Sequence, residues 1–361
     1  MRLVWGTISA IKDAHDGMQR LAVALDDGSV GYAICYLGLS GACGPGDRVV
    51  VNTTAMDLGL GTGGAHFVVA RAGRGEGVIH DVASGGHIMK LRYSPLQVDV
   101  LAAEAQESPH HERLRTADSL GGLPVVCCGL HSQVPLVAAA VKQADPDAVV
   151  VYCMTDDAAL ALGLSDVIRS SISAGLIDAT VTCGQAFGGT LESVNLHSGL
   201  LVGAHICGAA VLIVAIGPGV VGTATPFGHG GVSQGEAINA VAALDGVPIA
   251  CLRVSFADSR QRHRGVSHHS IAALTRIALA PAKVPVPDVI AEQKAVIDAA
   301  LEQAGVWVRH ERVDSAAGAS LPSMRGVQVS SMGRVLADDP AFFAAAFASG
   351  DVAARLARAA T

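Results

Sequence analysis

The chain has 361 residues, of which 50% are hydrophobic, 16% charged and only 4% aromatic, and its formal net charge is −7. That length accommodates one large domain with a small one, or two medium ones, with cores built from Ala, Val, Leu and Gly. The mild acidity excludes a surface that coats nucleic acid, and eight cysteines without metal-ligand spacing exclude a disulfide scaffold, reading instead as buried thiols in a reducing compartment.

The opening MRLVWGTISAIKD has no apolar run before a cleavage site, so no signal peptide is expected and the protein is expected to be cytoplasmic. Residues 1–70 read as a small all-β, barrel-like domain. LVWGTISAI, RLAVALDDGSVGYAICYL and DRVVVNTTA alternate or run apolar, with DDG and GPGD as turns. The glycine-rich GLGTGGAHF (59–67) closes this domain or leads out of it. SPLQVDVLAAEAQES (94–108) reads as a helix with Ser94 as cap and Pro95 in its first turn.

From Gly121 onward, strand–loop–helix units repeat. The expected strands are LPVVCCG, AVVVYCM, ATVTC, AVLIVAIG and VPIACLRVSF. The helices between them are VPLVAAAVKQA, Ala158–Ser173, Leu191–Cys207 and Gln234–Leu244. A helix over Asp288–Ala304, strands VWVRHERV and VQVSSM, and Ala-rich helices after Asp339–Pro340 complete the chain. Continuous apolar strands alternating with helices predict an α/β fold for 71–361, a mostly parallel sheet with helices on both faces. Residues 196–227 contain no Asp, Glu, Lys or Arg and are long enough for a bilayer. Gly208 and Gly217–Pro218 cut them into a buried helix and a central strand, so no membrane association is expected.

In such a sheet, ligands bind beyond the carboxyl ends of the strands. Each strand here is followed by a polar cluster: His131, Ser132 and Gln133; Thr155, Asp156 and Asp157; GQAFGG with Gln185; GPGVVGTATPFGHGG (217–231); and SFADSRQRHRGVSHHS (255–270). If the strands are parallel, all five clusters share one rim.

Each motif has a plain structural alternative. GPGVVG follows a strand, but the next helix starts only at the capping box of Ser233 and Glu236, so a standard dinucleotide site is disfavoured. Gly217, Gly219 and Gly222 read instead as a loop whose backbone N–H groups meet a ligand. Ser132 stands where a nucleophile would, yet lacks the second glycine of an elbow motif, and a helix cap is the simpler role. Asp156 and Asp157 suit either a metal or a helix N-terminus.

In the last stretch, Asp258, His263, His268 and His269 are the candidate catalytic residues. Asp258, His263 and His268 are the candidate ligands of a divalent metal such as Zn, Mn or Fe. Adjacent His268 and His269 point differently in regular structure, so one of them joins His263 while the other acts nearby. Arg260 and Arg262 suit a phosphate or carboxylate, and His229 faces this cluster across the rim. Structural hydrogen bonding or a subunit contact is the alternative use.

The chain resembles an uncharacterised bacterial family, a domain of unknown function found mostly in high-GC Gram-positive bacteria. The resemblance rests on NTTAMDLGLGTGG, GLHSQ, AGLIDATVTCGQAFGG with ESVNLHSGL, GPGVVGTATPFG with GEAINAVAAL, and RVSFADSRQRHRGVSHHS. These motifs span most of the chain. TDDAAL (155–160) departs from the TDGAAL of that pattern, which weakens Asp157 as a shared functional residue. The resemblance implies a bacterial cytosolic protein and no particular activity. The physical reading is an enzyme acting by metal-assisted hydrolysis on a small anionic or phosphorylated metabolite, in a chain that forms dimers. A non-catalytic nucleotide or metabolite sensor, or an assembly protein, is the alternative.

Overall fold

The alternating pattern of the first seventy residues folds as five strands: β1 (Leu3–His15), β2 (Met18–Leu25), β3 (Val30–Tyr36), β4 (Arg48–Asn52) and β5 (Ala65–Arg71). They close into a barrel in the order β1-β2-β3-β5-β4, with β3 and β5 parallel and the other pairs antiparallel. Ile8, Leu21, Val23, Ala33, Val49 and Val51 fill it. In this computed structural model the chain divides into two compact units, Met1–Leu101 and Ala102–Thr361. The structure describes residues 1–15, 17–59, 64–72, 85–315 and 322–360. Residues 60–63 of the glycine-rich segment therefore lie outside the described residues.

The helix expected over 94–108 does not form. Turns occupy most of it, and β6 (Ile88–Lys90) pairs antiparallel with β7 (Val98–Val100) inside the first unit. The β-branched pair Val98 and Val100 outweighs the helix-favouring Ala and Glu that follow.

The second unit is built on eight strands: β8 (Pro124–Cys128), β9 (Val150–Thr155), β10 (Ala179–Thr182), β11 (Leu191–Glu192), β12 (Val211–Ile216), β13 (Val247–Cys251), β16 (Lys283–Val286) and β17 (Glu311–Asp314). A separate short hairpin joins β14 (Val254–Ser255) to β15 (Gly265–Val266). The sheet order is β11-β10-β9-β12-β8-β13-β16-β17, and every pair is parallel. Strands buried on both faces explain the unbroken apolar runs. Val126, Tyr152, Ile213 and Ile249 face helices Val134–Ala144, Asp166–Ser173 and Pro340–Ala360. Val125, Val151, Leu212 and Ala250 face helices Leu196–His205, Ser233–Ala243 and Ala291–Gln303.

Other boundaries moved. The helix expected from Ala158 begins at Asp166, where Ser165 Oγ accepts from the Ile168 N–H as a cap. The helix expected from Leu191 begins at Leu196, capped by Asn195, because Leu191–Glu192 pairs as the edge strand. VQVSSM is not a strand, VWV is a 3₁₀ turn, and one helix, Pro340–Ala360, replaces several. Among the described residues no helix is long and apolar enough to cross a membrane. The uncharged run 196–227 holds a ten-residue helix, a turn at Gly208 (φ 68°) and the central strand β12.

The topology places a crevice. β12 lies between β9 and β8. The chain leaves β8 and β9 toward the first helical face, and leaves β12 toward the second. Neighbouring strands whose connections part to opposite faces open a cleft at their carboxyl ends.

Candidate metal and anion site

Because β8, β9, β10, β12 and β13 are parallel neighbours, their carboxyl ends lie on one edge. The five polar clusters meet there in three separate groups.

The first group joins the loops after β9 and β10. Asp156 Oδ2 accepts from the Gln185 N–H at 2.8 Å, and Asp157 Oδ2 accepts from Thr155 Oγ1 at 2.9 Å. Neither aspartate stands at a helix N-terminus, since the next helix begins only at Asp166. Gln185 is thus placed by its backbone against Asp156.

The second group lines the switch-point crevice, a cleft of ≈ 460 Å³. Ser132, Ser165 and Gly217–Val220 border it, and Gln328–Met332 forms another wall. Ser132 Oγ donates to Ser331 Oγ at 3.1 Å and caps no helix. The neighbouring His131 is not its base. His131 Nδ1 meets the Ile216 carbonyl (3.2 Å) and the Tyr152 hydroxyl (3.1 Å), and its Nε2 meets Ser165 Oγ (2.6 Å). Burial pushes the His131 pKa down to about 4, so a neutral, fully bonded imidazole holds the ends of three strands together. The capping box expected at Ser233 and Glu236 is also absent, because Ser233 Oγ donates to the Gly230 carbonyl instead.

The third group joins the loops after β12 and β13, and it is the chemically rich one. The rings of His229, His263, His268 and His269 pack against one another. His229 stacks on His269 with centroids 3.7 Å apart. His263 lies 5.0 Å from His268 and 4.9 Å from His269. One nitrogen from each of His229, His268 and His269 falls within 4.8 Å of the others, a spacing that could hold a metal ion. This differs from the expected set of Asp258, His263 and His268, in that His229 takes the place of the carboxylate.

Hydrogen bonds assign the protons. His229 Nε2 donates to the Pro226 carbonyl at 3.1 Å, which leaves Nδ1 with a free lone pair. That Nδ1 is buried and has no partner, and neither has buried His268 Nε2. His263 Nδ1 is bonded to Ser267 Oγ at 2.8 Å. Burial, reinforced by nearby cations, lowers all four pKa values, His263 to about 3 and His269 to about 2. The cluster is therefore a set of neutral imidazoles at neutral pH, the form that ligates metal.

Glycine makes the packing possible. A Cβ on Gly231 would lie 3.0 Å from His269 Cβ and 3.1 Å from both His229 Nδ1 and His269 Nδ1. Gly222 bridges to His229 across the loop and passes close to His269. Gly217 sits where a Cβ would strike the Ala159 carbonyl, and Gly219 has φ 96°. The glycines of GPGVVG thus serve the loop's shape.

Asp258 has other partners. Arg260 grips its carboxylate with Nε at 3.0 Å and Nη2 at 2.8 Å, while Arg334 Nη2 stands at 3.3 Å. Arg260 holds the Asp258 pKa far below the usual carboxylate range. Its oxygens face guanidiniums, so Asp258 organises arginines and is not among the converging metal-ligating atoms. Arg262 is exposed beside the cluster.

Arg253, Arg334 and Asp339 were not foreseen. Arg253 is 4% exposed, and its Nη1 meets His269 Nδ1 at 3.2 Å. Arg334 also pairs with buried Asp339 at 3.2 Å, and Asp339 accepts from Ser255 Oγ. A lone arginine inside the apolar run VPIACLRVSF was the available signal, since a charge is rarely buried without a partner.

Comparison with known proteins adds one match. A family model described as "Protein of unknown function (DUF3866)" matches residues 32–350. The chain belongs to this family. No curated protein and no solved structure matches it. The match takes in most of β3, all of β4 and β5, the whole parallel sheet and every residue of the histidine and arginine groups.

Proposed function

We propose that the protein is a metal-dependent hydrolase acting on a small anionic or phosphorylated substrate, with His229, His268 and His269 as the metal ligands. The observation that carries this is the pair of buried, partnerless nitrogens, His229 Nδ1 and His268 Nε2, in one three-histidine group. Buried polar atoms without partners are costly and rare, and a shared ion satisfies both. Three imidazoles are a catalytic rather than a closed structural ligand set, leaving a coordination position for water or substrate. A metal held there supplies an activated water and polarises the scissile bond. Arg253, Arg260 and Arg262 provide positive charge for the substrate anion, and His263 stands 5.0 Å from His268 to relay a proton. The switch-point crevice beside the Gly217–Gly222 loop receives the rest of the substrate.

The test is elemental analysis of protein purified without chelator, followed by a screen of phosphate esters and small amides. About one equivalent of Zn, Mn or Fe per chain is expected, with loss of metal and turnover in the His229→Ala, His268→Ala double variant. A chain that neither carries metal nor takes it up would defeat the reading. The arginines gathered around Asp258 support a second reading, a non-catalytic sensor of a small anion. Tight anion binding with no turnover of any ester or amide would favour it.

A further inference from the structure

A guanidinium has hydrogen-bond donors and no acceptor. The contact between Arg253 Nη1 and His269 Nδ1 (3.2 Å) therefore fixes Nδ1 as the acceptor and puts the proton of neutral His269 on Nε2. A metal ion at this imidazole conflicts with that bond whichever nitrogen it takes. At Nδ1 it occupies the lone pair that Arg253 uses. At Nε2 it sends the ring proton to Nδ1, where that N–H faces the N–H of Arg253. The imidazole carries one proton in either case, so the count balances, and in either case Arg253 loses its acceptor.

The released guanidinium has no carboxylate to spare. Its Nη2 lies 3.9 Å from Asp258 Oδ2, too far for a hydrogen bond, and that carboxylate already holds Arg260 and Arg334. Around it, four guanidiniums (Arg253, Arg260, Arg262 and Arg334) face two carboxylates, Asp258 and Asp339. The excess of positive charge calls for an oxyanion. We propose that Arg253 is the anion ligand of this site, held on His269 in the metal-free protein and released to bind a phosphate or carboxylate group of the substrate when metal takes that imidazole. This rests on the three-histidine metal reading and adds which of the arginines binds the substrate's anionic group, how it is released, and the order of loading, metal before anion.

The experiment compares zinc affinity, by competition with a chromophoric chelator, in the wild type, Arg253→Met and Arg262→Met. It then compares inorganic phosphate binding to each zinc-loaded protein. Removing Arg253 frees His269 for the metal, so zinc should bind about tenfold more tightly, the size of a lost charge-assisted hydrogen bond. Arg262→Met removes a nearby like charge without touching a histidine, and should change zinc affinity far less. Phosphate should bind zinc-loaded Arg253→Met about tenfold more weakly than zinc-loaded wild type. Unchanged or weaker zinc binding by Arg253→Met, an equal gain in Arg262→Met, or unaltered phosphate binding would each overturn the proposal while leaving the metal site standing. Wild type that takes no zinc would overturn both. Should Arg253→Met not fold, ¹⁵N spectra of the wild-type histidines decide. His269 should carry its proton on Nε2 without zinc and change at both ring nitrogens with zinc, and a pattern unmoved by saturating zinc refutes release.

Discussion

The imidazole of His229 lies flat on that of His269, with ring centroids 3.7 Å apart and planes 4° from parallel. The stack needs a residue without a side chain beside it, and Gly231 supplies one. Gly231→Ala would place a methyl group 3.1 Å from both Nδ1 atoms and force the rings apart. Overpacking of this kind costs about 1–3 kcal/mol. Zinc affinity should fall by about tenfold or more, since a change of roughly 1.4 kcal/mol is a factor of ten. Chelator competition measures it, and a variant that binds zinc like the wild type would show that these rings are not ligands.

Asp258 tests the difference between a metal ligand and an organiser of arginines. Its carboxylate serves Arg260 and Arg334 and lies near buried Arg253. Asp258→Asn leaves those cations without their counter-charge, and breaking a buried pair from one side costs about 3–5 kcal/mol. Urea denaturation should show a loss near the low end of that range, because Arg260 and Arg334 are partly exposed. Zinc affinity should stay within about threefold of wild type, well under the tenfold given by 1.4 kcal/mol. Loss of metal binding in a variant of unchanged stability would restore the carboxylate to the ligand set.

The sequence made the sheet legible because strands buried on both faces write themselves as unbroken apolar runs, as in VLIVAI and VVYCM. Parallel pairing carries the loops to one edge, so the sequence pattern alone places His229 opposite His263, His268 and His269. The role of Asp258 was not legible. Its nearness in sequence to three histidines suggested ligation, but the chain turns back at once, with the Arg260 N–H on Asp258 Oδ1 at 3.0 Å, and delivers Arg260 instead. Arg334 and Asp339 reach the same network from 76 and 84 residues away, and no local pattern encodes that. Residues 94–108 misled in the opposite direction, because Ala and Glu favour a helix that pairing of β6 with β7 overrides.

The uncharged run 196–227 makes its own prediction about packing. Helix Leu196–His205 lies on the sheet through Gly199 and Gly203. A Cβ at Gly203 would come within 2.5 Å of Leu212 Cδ2, and the Gly199 carbonyl accepts from Cys153 Sγ. The glycines let the backbone approach β9 and β12 closely. Gly203→Val should therefore destabilise the second unit by about 2 kcal/mol or more despite its added apolar surface. Thermal or urea denaturation reads the change. Stability equal to wild type would mean that this helix is not seated against the strands.

The pH dependence of stability should reveal His131. Its folded pKa is pushed down from 6.5 to about 4 by burial, with both ring nitrogens occupied by neutral partners. Below pH 6.5 the unfolded chain takes up a proton at this position that the folded chain refuses. A depressed folded pKa thus contributes stability that is complete above 6.5 and is lost as pH falls toward 4. The loss from one such group approaches about 1.4 kcal/mol per pH unit within that window. The lowered pKa values of His229, His263, His268 and His269 add losses of the same sign in metal-free protein. His131→Asn is less stable at every pH, because it breaks the bonds to Ser165 and Ile216, but its stability should change less steeply between pH 6.5 and 4.5. The difference in slope corresponds to about one proton. Urea denaturation of both proteins across that range provides the comparison. Parallel curves would mean that His131 takes up its proton at the same pH in the folded as in the unfolded chain, and that burial at the knot joining β8, β9 and β12 does not exclude the charged ring.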